Sequence, residues 1–413
     1  MSETNQQEHK PGFTDTLLEE ISNSPLSVPF LAIFTGLLVS GLLVMLTTEE
    51  VYTTFSSSPW EALKIGLSTV WQTYGALFTG ALGDPAKISD AFAGGDPLEI
   101  RRAINPIFES LVQSTPYIFA GLAVALGFRV GLFNIGAEGQ IFIGALTSVW
   151  VGFTLKGLPP IVHVPLALLA GAAGGAIWGF IPGWLKAKTG GHEVINTIMM
   201  NFIAFRLSEW LLKGPLKDPV KPMLSPTIED SARLYQFFQD PIRFHLGFFV
   251  ALATAALVYW FLFKTTWGFE LRTVGANPRD ARYAGINIVR GTIIAMSLSG
   301  ALAGLAGANE VLGVNHNLGV AFSSGYGFDA IALALLGKNH PVGVVLAAIM
   351  FGTLRNGARR MQLVAGIPID IVSVMQALIL VFIAAPAIIR TIYRLREPKE
   401  KEEGITLSGW GGN

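Results

Sequence analysis

The sequence predicts an all-α fold, a polytopic transmembrane helix bundle of about ten spans. Two observations carry that expectation. Of 413 residues, 51% are hydrophobic and only 14% are charged, whereas a soluble domain carries about 25% charged residues because its surface must face water. Apolar runs near the ~20 residues that cross a ~30 Å hydrocarbon core recur along the chain. The 29 basic and 29 acidic side chains balance, which argues against a basic nucleic-acid binder, and the apolar content excludes a disordered protein. With no cysteine, disulfides, iron–sulfur clusters and thiolate metal sites are excluded.

The first run, 28–46, follows a polar N-terminus (1–27) in which Lys10 is the only base. No small-x-small cleavage site follows Leu46, so the run reads as a retained signal-anchor. Segment 47–104 is expected outside the membrane. Within it, 60–82 repeats Leu63, Leu67, Val70, Trp71, Tyr74, Leu77 and Phe78 at three- and four-residue steps, opposite Lys64, Ser68, Gln72 and Thr73. That is an amphipathic helix, suited to the interface or to packing on the bundle. The core, 105–390, holds runs at Ile107–Gly127, Gly131–Phe153, Val162–Leu185, Val194–Leu212, Leu246–Phe263 and Thr292–Leu312. Two short runs follow, Gly327–Leu336 and Val342–Leu354, separated by the turn Gly337–Pro341; joined across that break they would make nine spans rather than ten. The last run is Ile369–Ile389, ahead of a charged tail, 391–413.

Ten spans put both termini on one side. Arg390, Arg394 and Arg396 abut the last run, and basic residues beside a span favour the cytoplasm. The N-terminus and tail are therefore expected to be cytoplasmic, although Arg355, Arg359 and Arg360 then fall outside.

On that cytoplasmic side, Gly275–Ile286 reads as a complete miniature helix. Asn277 suits the cap and Pro278 the first helical position. Asp280 complements the positive N-terminal end, and Gly285 permits a left-handed C-terminal cap. Two turns are marginal in water alone. Arg279 and Arg282 share a face beside Tyr283, so the segment is either a well-capped loop or a docking knob for a soluble partner.

Polar groups at membrane depth are costly unless paired or facing water. One cluster opens the third run: Asn134, Glu138 and Gln140 among Gly131, Gly136 and Gly139. Asn134 and Glu138 share a helical face, and the glycines permit a break of the kind transporters place at binding sites. The same residues would equally serve as a hydrogen-bond hub joining helices. The second cluster is Asn309, Glu310, Asn315, His316 and Asn317, with Asp329 after Ser323–Gly327. It resembles the first, a Gly-flanked carboxylate leading into an apolar run. The preceding runs Gly121–Gly127 and Gly300–Gly307 also match loosely, suggesting a two-fold internal repeat. Asn196, Asn201 and Gln113 are lesser candidates. No phosphate loop, zinc-protease motif or nucleophile elbow is present, so the chain is not expected to be an enzyme or to need a cofactor.

Phe128–Gln140 resembles the signature of permease subunits of bacterial ABC importers for nucleosides and simple sugars. Ala276–Ile286 and Gly327–Gly337 agree with it, and the likeness runs from about 105 to 390. Related branches carry ribose, galactosides, nucleosides or branched-chain amino acids; the Asn134–Gln140 form is similar to the nucleoside branch. The resemblance implies a multi-pass subunit of the bacterial cell membrane that pairs with a second permease subunit. It also implies a cytoplasmic ATPase carrying out hydrolysis and an external substrate-binding protein. Residues 277–285 would be the coupling helix, with Asn277, Pro278, Arg279, Asp280, Arg282, Tyr283 and Gly285 meeting the ATPase. Asn134, Glu138, Gln140, Asn309, Glu310 and Asp329 are expected to line or support the substrate path. The rival expectation is an ion-coupled secondary transporter using Glu138 or Asp329.

Overall fold

A computed structural model describes residues 27–320, 322–323 and 325–395. The polar N-terminus with Lys10, Ser324, and the tail from Arg396 onward lie outside the described residues. The helices are α1 (Ser27–Thr47), α2 (Glu49–Phe55), α3 (Pro59–Leu82), α4 (Pro85–Gly94), α5 (Pro97–Arg129), α6 (Ala137–Thr154), α7 (Pro160–Thr189) and α8 (Glu193–Lys213). They continue as α9 (Gly247–Lys264), α10 (Thr266–Ala276), α11 (Pro278–Tyr283), α12 (Ile288–Glu310), α13 (Tyr326–Leu336), α14 (Pro341–Ala365), α15 (Asp370–Ala384) and α16 (Pro386–Ile392). Among the described residues there is no strand, only isolated bridges at Leu224–Gly319 and Gln236–His245.

The chain divides into two units, 27–42 with 375–395, and 43–374. In the first, α1 crosses α15 at Gly36, where a Cβ would lie 2.6 Å from Ile379 Cγ1. The Thr35 hydroxyl meets that of Tyr393 at 3.0 Å.

The second unit is built around α5. Its 33 residues span about 50 Å, and from Glu109 to Gly127 nearly every side chain is buried. Beside it, α6, α7 and α12 pack through small residues. A Cβ on Gly175 would lie 2.1 Å from the Gly300 carbonyl oxygen, and one on Gly144 would lie 2.3 Å from Gly304 Cα. Backbones approach this closely where dispersion between helices must do what the hydrophobic effect does in water.

Ten spans are not confirmed. Among the described residues, six helices are long and apolar enough to cross a membrane (α1, α5, α7, α9, α12 and α14), or seven if α15 and α16 form one broken span. Two expected spans, α6 and α8, carry too many polar groups, among them Glu138, Gln140, Asn201, Arg206 and Glu209. Helix α13 has 11 residues, about 16 Å of rise. By contrast, the short run expected at Val342–Leu354 is the start of a 25-residue helix. In its polar continuation Arg355, Arg359 and Arg360 each pair with a carboxylate, Asp329, Glu109 and Asp84 in turn.

The amphipathic segment 60–82 is a helix, α3, and small residues rather than the large apolar stripe make most of its buried side. Ala62, Gly66, Thr73, Ala76, Leu77 and Ala81 are buried, while Leu63, Leu67 and Phe78 are exposed and Trp71 is 82% exposed. Small residues face the bundle because α3 packs tightly on α14, where a Cβ on Gly357 would lie 2.2 Å from the Leu77 carbonyl. Large apolar residues face outward, as suits hydrocarbon. Asn356 Nδ2 joins three helices here, within 3.3 Å of the Gly80 carbonyl, 3.0 Å of the Pro106 carbonyl and 3.1 Å of Ser110 Oγ.

Candidate functional site

The α5–α6 turn carries the Phe128–Gln140 motif. Gly131 adopts a left-handed φ of +72°, and the Leu132 amide bonds the Gly127 carbonyl. The chain therefore reverses before Asn134. The Asn134 Oδ1 accepts the Gly136 amide at 3.1 Å, and its Nδ2 donates to Gln140 Oε1 and to Ser299 Oγ, each at 2.8 Å. Ser299 donates onward to the Ala123 carbonyl at 2.6 Å. Asn201 closes the ring from α8, accepting the Gly139 amide at 2.8 Å and donating to the Ile135 carbonyl at 2.9 Å. All four side chains are buried and bonded, as enclosed amides must be.

Glu138 leaves this hub for α13. Its Oε1 accepts from Ser323 Oγ at 2.5 Å and its Oε2 from the Gly327 amide at 2.6 Å. The two Gly-flanked segments that sequence reading set side by side thus touch. Asp329 itself lies elsewhere on α13, its Oδ2 accepting from Tyr117 OH at 2.9 Å and from Arg355 Nη1 at 3.3 Å. Asn309 and Glu310 are separate again, at the far end of α12. Both polar atoms of the Asn309 side chain lack a partner among the described residues. Nearby, Glu109 is held by Arg243 at 2.5 Å and by Gln113 at 3.1 Å, with Arg359 at 3.7 Å. His245 is fully buried, its Nδ1 accepts the Gly247 amide at 3.1 Å, and its Nε2 is unpartnered among the described residues. Burial, aided by His316 and Arg243 and opposed by Glu109, holds its pKa down at about 4.

At the Arg129 end of the bundle, α11 has the expected construction. Asn277 Oδ1 accepts the Arg279 amide at 3.0 Å and Asn277 Nδ2 donates to Asp280 at 2.8 Å. The Gly285 amide bonds the Arg282 carbonyl and the Ile286 amide bonds the Ala281 carbonyl, a complete Schellman stop with Gly285 at φ +78°. Ala281 is buried, Arg279 and Arg282 are exposed, and Tyr283 is 92% exposed. Directly before this helix, Gly275 packs on the motif turn, where a Cβ would lie 2.3 Å from the Arg129 carbonyl oxygen. Arg129 Nε in turn donates to the Asn339 carbonyl at 2.9 Å, pinning the α13–α14 turn. Arg129 and Arg272 both lie over the Phe263 ring, at 5.6 and 5.1 Å.

The six expected path residues therefore fall into three places: the start of α6 with Asn134, Glu138 and Gln140, the Asp329–Arg355 ion pair between α13 and α14, and a polar cluster at the opposite end from α11. Tyr117 and Arg355 were not among the expected site residues because what joins them, the Asp329 carboxylate, comes from another helix. Arg355 lies just past the apolar run, where it reads as a loop base.

Residues 106–384 match the family described as branched-chain amino acid transport system / permease component. The guanosine ABC transporter permease protein NupP of Bacillus subtilis is 41% identical over 89% of this chain and 96% of its own length. The glucose ABC transporter permease protein TsgB13 of Haloferax volcanii is 38% identical over 67% of this chain and 75% of its own. The nucleoside ABC transporter permease protein NupB of Lactococcus lactis is 34% identical over 80% and 87%. No solved structure matches. These likenesses support a subunit of an ATP-driven system and lend nothing to the ion-coupled alternative.

Proposed function

Since the chain belongs to the branched-chain amino acid transport system / permease component family, we propose that it is the multi-pass permease of an importer carrying nucleosides, energised by a separate cytoplasmic ATPase. The cargo is proposed from the near full-length likeness to a guanosine permease; the glucose-named relative matches less of the chain. An external binding protein delivers the substrate, and a second permease subunit completes the path. The end bearing α11 faces the cytoplasm, on the charge of Arg129, Lys264, Arg272, Arg279, Arg282, Arg290 and Lys338 gathered there. Both termini are assigned to that side on the bases abutting the last apolar run.

One observation carries the coupling mechanism: α11 is exposed, capped at both ends, and seated through Gly275 on the motif turn. Closure of the ATPase pair displaces α11, and a rigid contact passes the displacement to Arg129–Gly131. From there it reaches α13 by two routes, through Arg129 to Asn339 and through Glu138 to Gly327. In this reading Asn134, Glu138 and Gln140 support the path as a rigid block. Asp329 faces the path, and Asn309 and Glu310 belong to its outer end. ATP binding switches access only so far as the two states differ in affinity for the ATPase and the cargo.

The test is an Arg279→Ala/Arg282→Ala double variant, reconstituted in vesicles with its ATPase and binding protein. The permease inserts and assembles, while ATP hydrolysis ceases to track guanosine uptake. Unchanged uptake overturns the assignment of α11.

A further inference from the structure

The Tyr117–Asp329–Arg355 cluster is unlike the hub, because it is open on one side. Tyr117 lies twelve residues before Arg129 on α5, and Arg355 fourteen residues after Pro341 on α14. Helical rise sets both about 18–21 Å from the turn that Arg129 pins, near the middle of a ~30 Å core. Charges at that depth are tolerated where they pair and face protein or a water-filled cavity. The pair is made, by Arg355 Nη1 at 3.3 Å from Asp329 Oδ2. Yet the Asp329 side chain is 32% exposed and that of Arg355 26%. Asp329 Oδ2 carries both bonds, from Tyr117 and Arg355, while Oδ1 makes no hydrogen bond among the described residues. Behind the pair stands an aromatic wall: the Tyr117 ring meets Tyr326 edge-on at 5.0 Å and Phe351 at 6.4 Å. Phe328, the residue before Asp329 on α13, is 47% exposed.

We infer that this open ion pair is where the permeating substrate is gripped within the membrane, by the hydrogen-bonding edge of a purine base. The inference rests on the proposed nucleoside function and adds Tyr117 and Arg355 to it. A guanine edge presents adjacent N–H donors beside a carbonyl acceptor. Asp329 Oδ1 is a free carboxylate acceptor for the donors, and the Arg355 guanidinium, planar with five donors, serves the carbonyl. Tyr117 is a positioning residue: fully buried, it bonds both charged groups and sets the direction of the carboxylate. An uncharged cargo suits a pair that neutralises itself, since neither charge is left uncompensated when the base departs.

The test uses the assembled complex of permease, ATPase and binding protein. Photolabelling with 8-azidoguanosine is expected to mark peptides containing Phe328–Asp329 or Arg355, and excess guanosine but not ribose prevents the label. Asp329→Asn and Arg355→Gln are expected to lower guanosine uptake at least tenfold while ATP hydrolysis stimulated by loaded binding protein stays within twofold. Arg355→Lys, which keeps the ion pair, retains more uptake than Arg355→Gln. A label elsewhere, no label, protection by ribose as strong as by guanosine, or uptake and hydrolysis falling in step each overturns the inference. So does loss of the assembled complex in both Arg355→Gln and Arg355→Lys, which identifies the pair as a contact between subunits. A wild-type complex that imports sugars and no nucleoside overturns the functional reading instead, and that result is separable because it needs no variant.

Discussion

Glu138 on α6 accepts the backbone amide of Gly327 at 2.6 Å across 189 residues of sequence, so the first turn of one helix caps the first turn of another. No side chain of α13 caps its own N-terminus; Glu138 supplies the missing acceptor from outside. A Cβ on Gly327 would lie 2.3 Å from the Glu138 amide nitrogen, so only glycine permits the approach. Glu138→Ala leaves the Gly327 amide and Ser323 hydroxyl without this acceptor and is expected to cost about 1–3 kcal/mol. Glu138→Gln keeps one acceptor oxygen and loses less. Thermal unfolding of the detergent-solubilised protein ranks them, and an alanine variant as stable as the parent removes the capping role.

Gly275→Ala places a methyl group against the Arg129 carbonyl. Overpacking of this kind costs about 1–3 kcal/mol and forces α10 and the motif turn apart. Uptake is expected to drop several-fold while hydrolysis by the ATPase continues. Paired uptake and hydrolysis assays on vesicles check it, and full uptake with Gly275→Ala would break the proposed route from α11.

Asn277→Ala removes the cap of α11 and its bond to Asp280. About 1 kcal/mol of local stability is expected to go, which speeds amide exchange over 278–285 roughly fivefold. Hydrogen-exchange mass spectrometry on that peptide reads it directly, with peptides of α12 as the unaffected control.

The outer end of the bundle is expected to weaken in acid through His245. Its ordinary pKa of 6.5 falls to about 4 in the fold, so between those values the unfolded chain binds the proton and the folded one does not. Stability is therefore full above about pH 6.5 and falls as the pH drops toward 4, by about 3 kcal/mol in all. The groups around it are His316 and Arg243, which reinforce the shift, and Glu109, which opposes it. His245→Gln abolishes this part of the pH dependence. A melting curve series from pH 7.5 to 4.5 with the same slope in both proteins excludes His245 as its source.

Local chemistry explains how much of α11 was legible. Asn277, Pro278 and Gly285 act on backbone groups within a few residues of themselves, so their consequences can be read in the linear chain. The motif at Asn134–Gln140 was legible as a polar break but not as a hub. Its closing partners, Ser299 and Asn201, come from α12 and α8, and either solution, an open path or a bonded block, fits the same seven residues. On α3 the large apolar stripe was visible and its direction was not. In water such a stripe packs inward, whereas in lipid the small residues do, and the choice depends on the solvent around the helix.

Composition by itself determined a membrane bundle, because too few charges remain to cover a surface in water, and capping chemistry determined a short exposed helix at 277–285. The tertiary structure decided which polar groups are satisfied and which stand open. It joined Glu138 to Gly327, left Asn309 and His245 Nε2 without partners among the described residues, and brought Tyr117, Asp329 and Arg355 from three helices to one depth. A buried polar group is cheap or costly according to what lies within about 3 Å of it, and in a bundle of long helices that neighbour is set by packing and not by position along the chain.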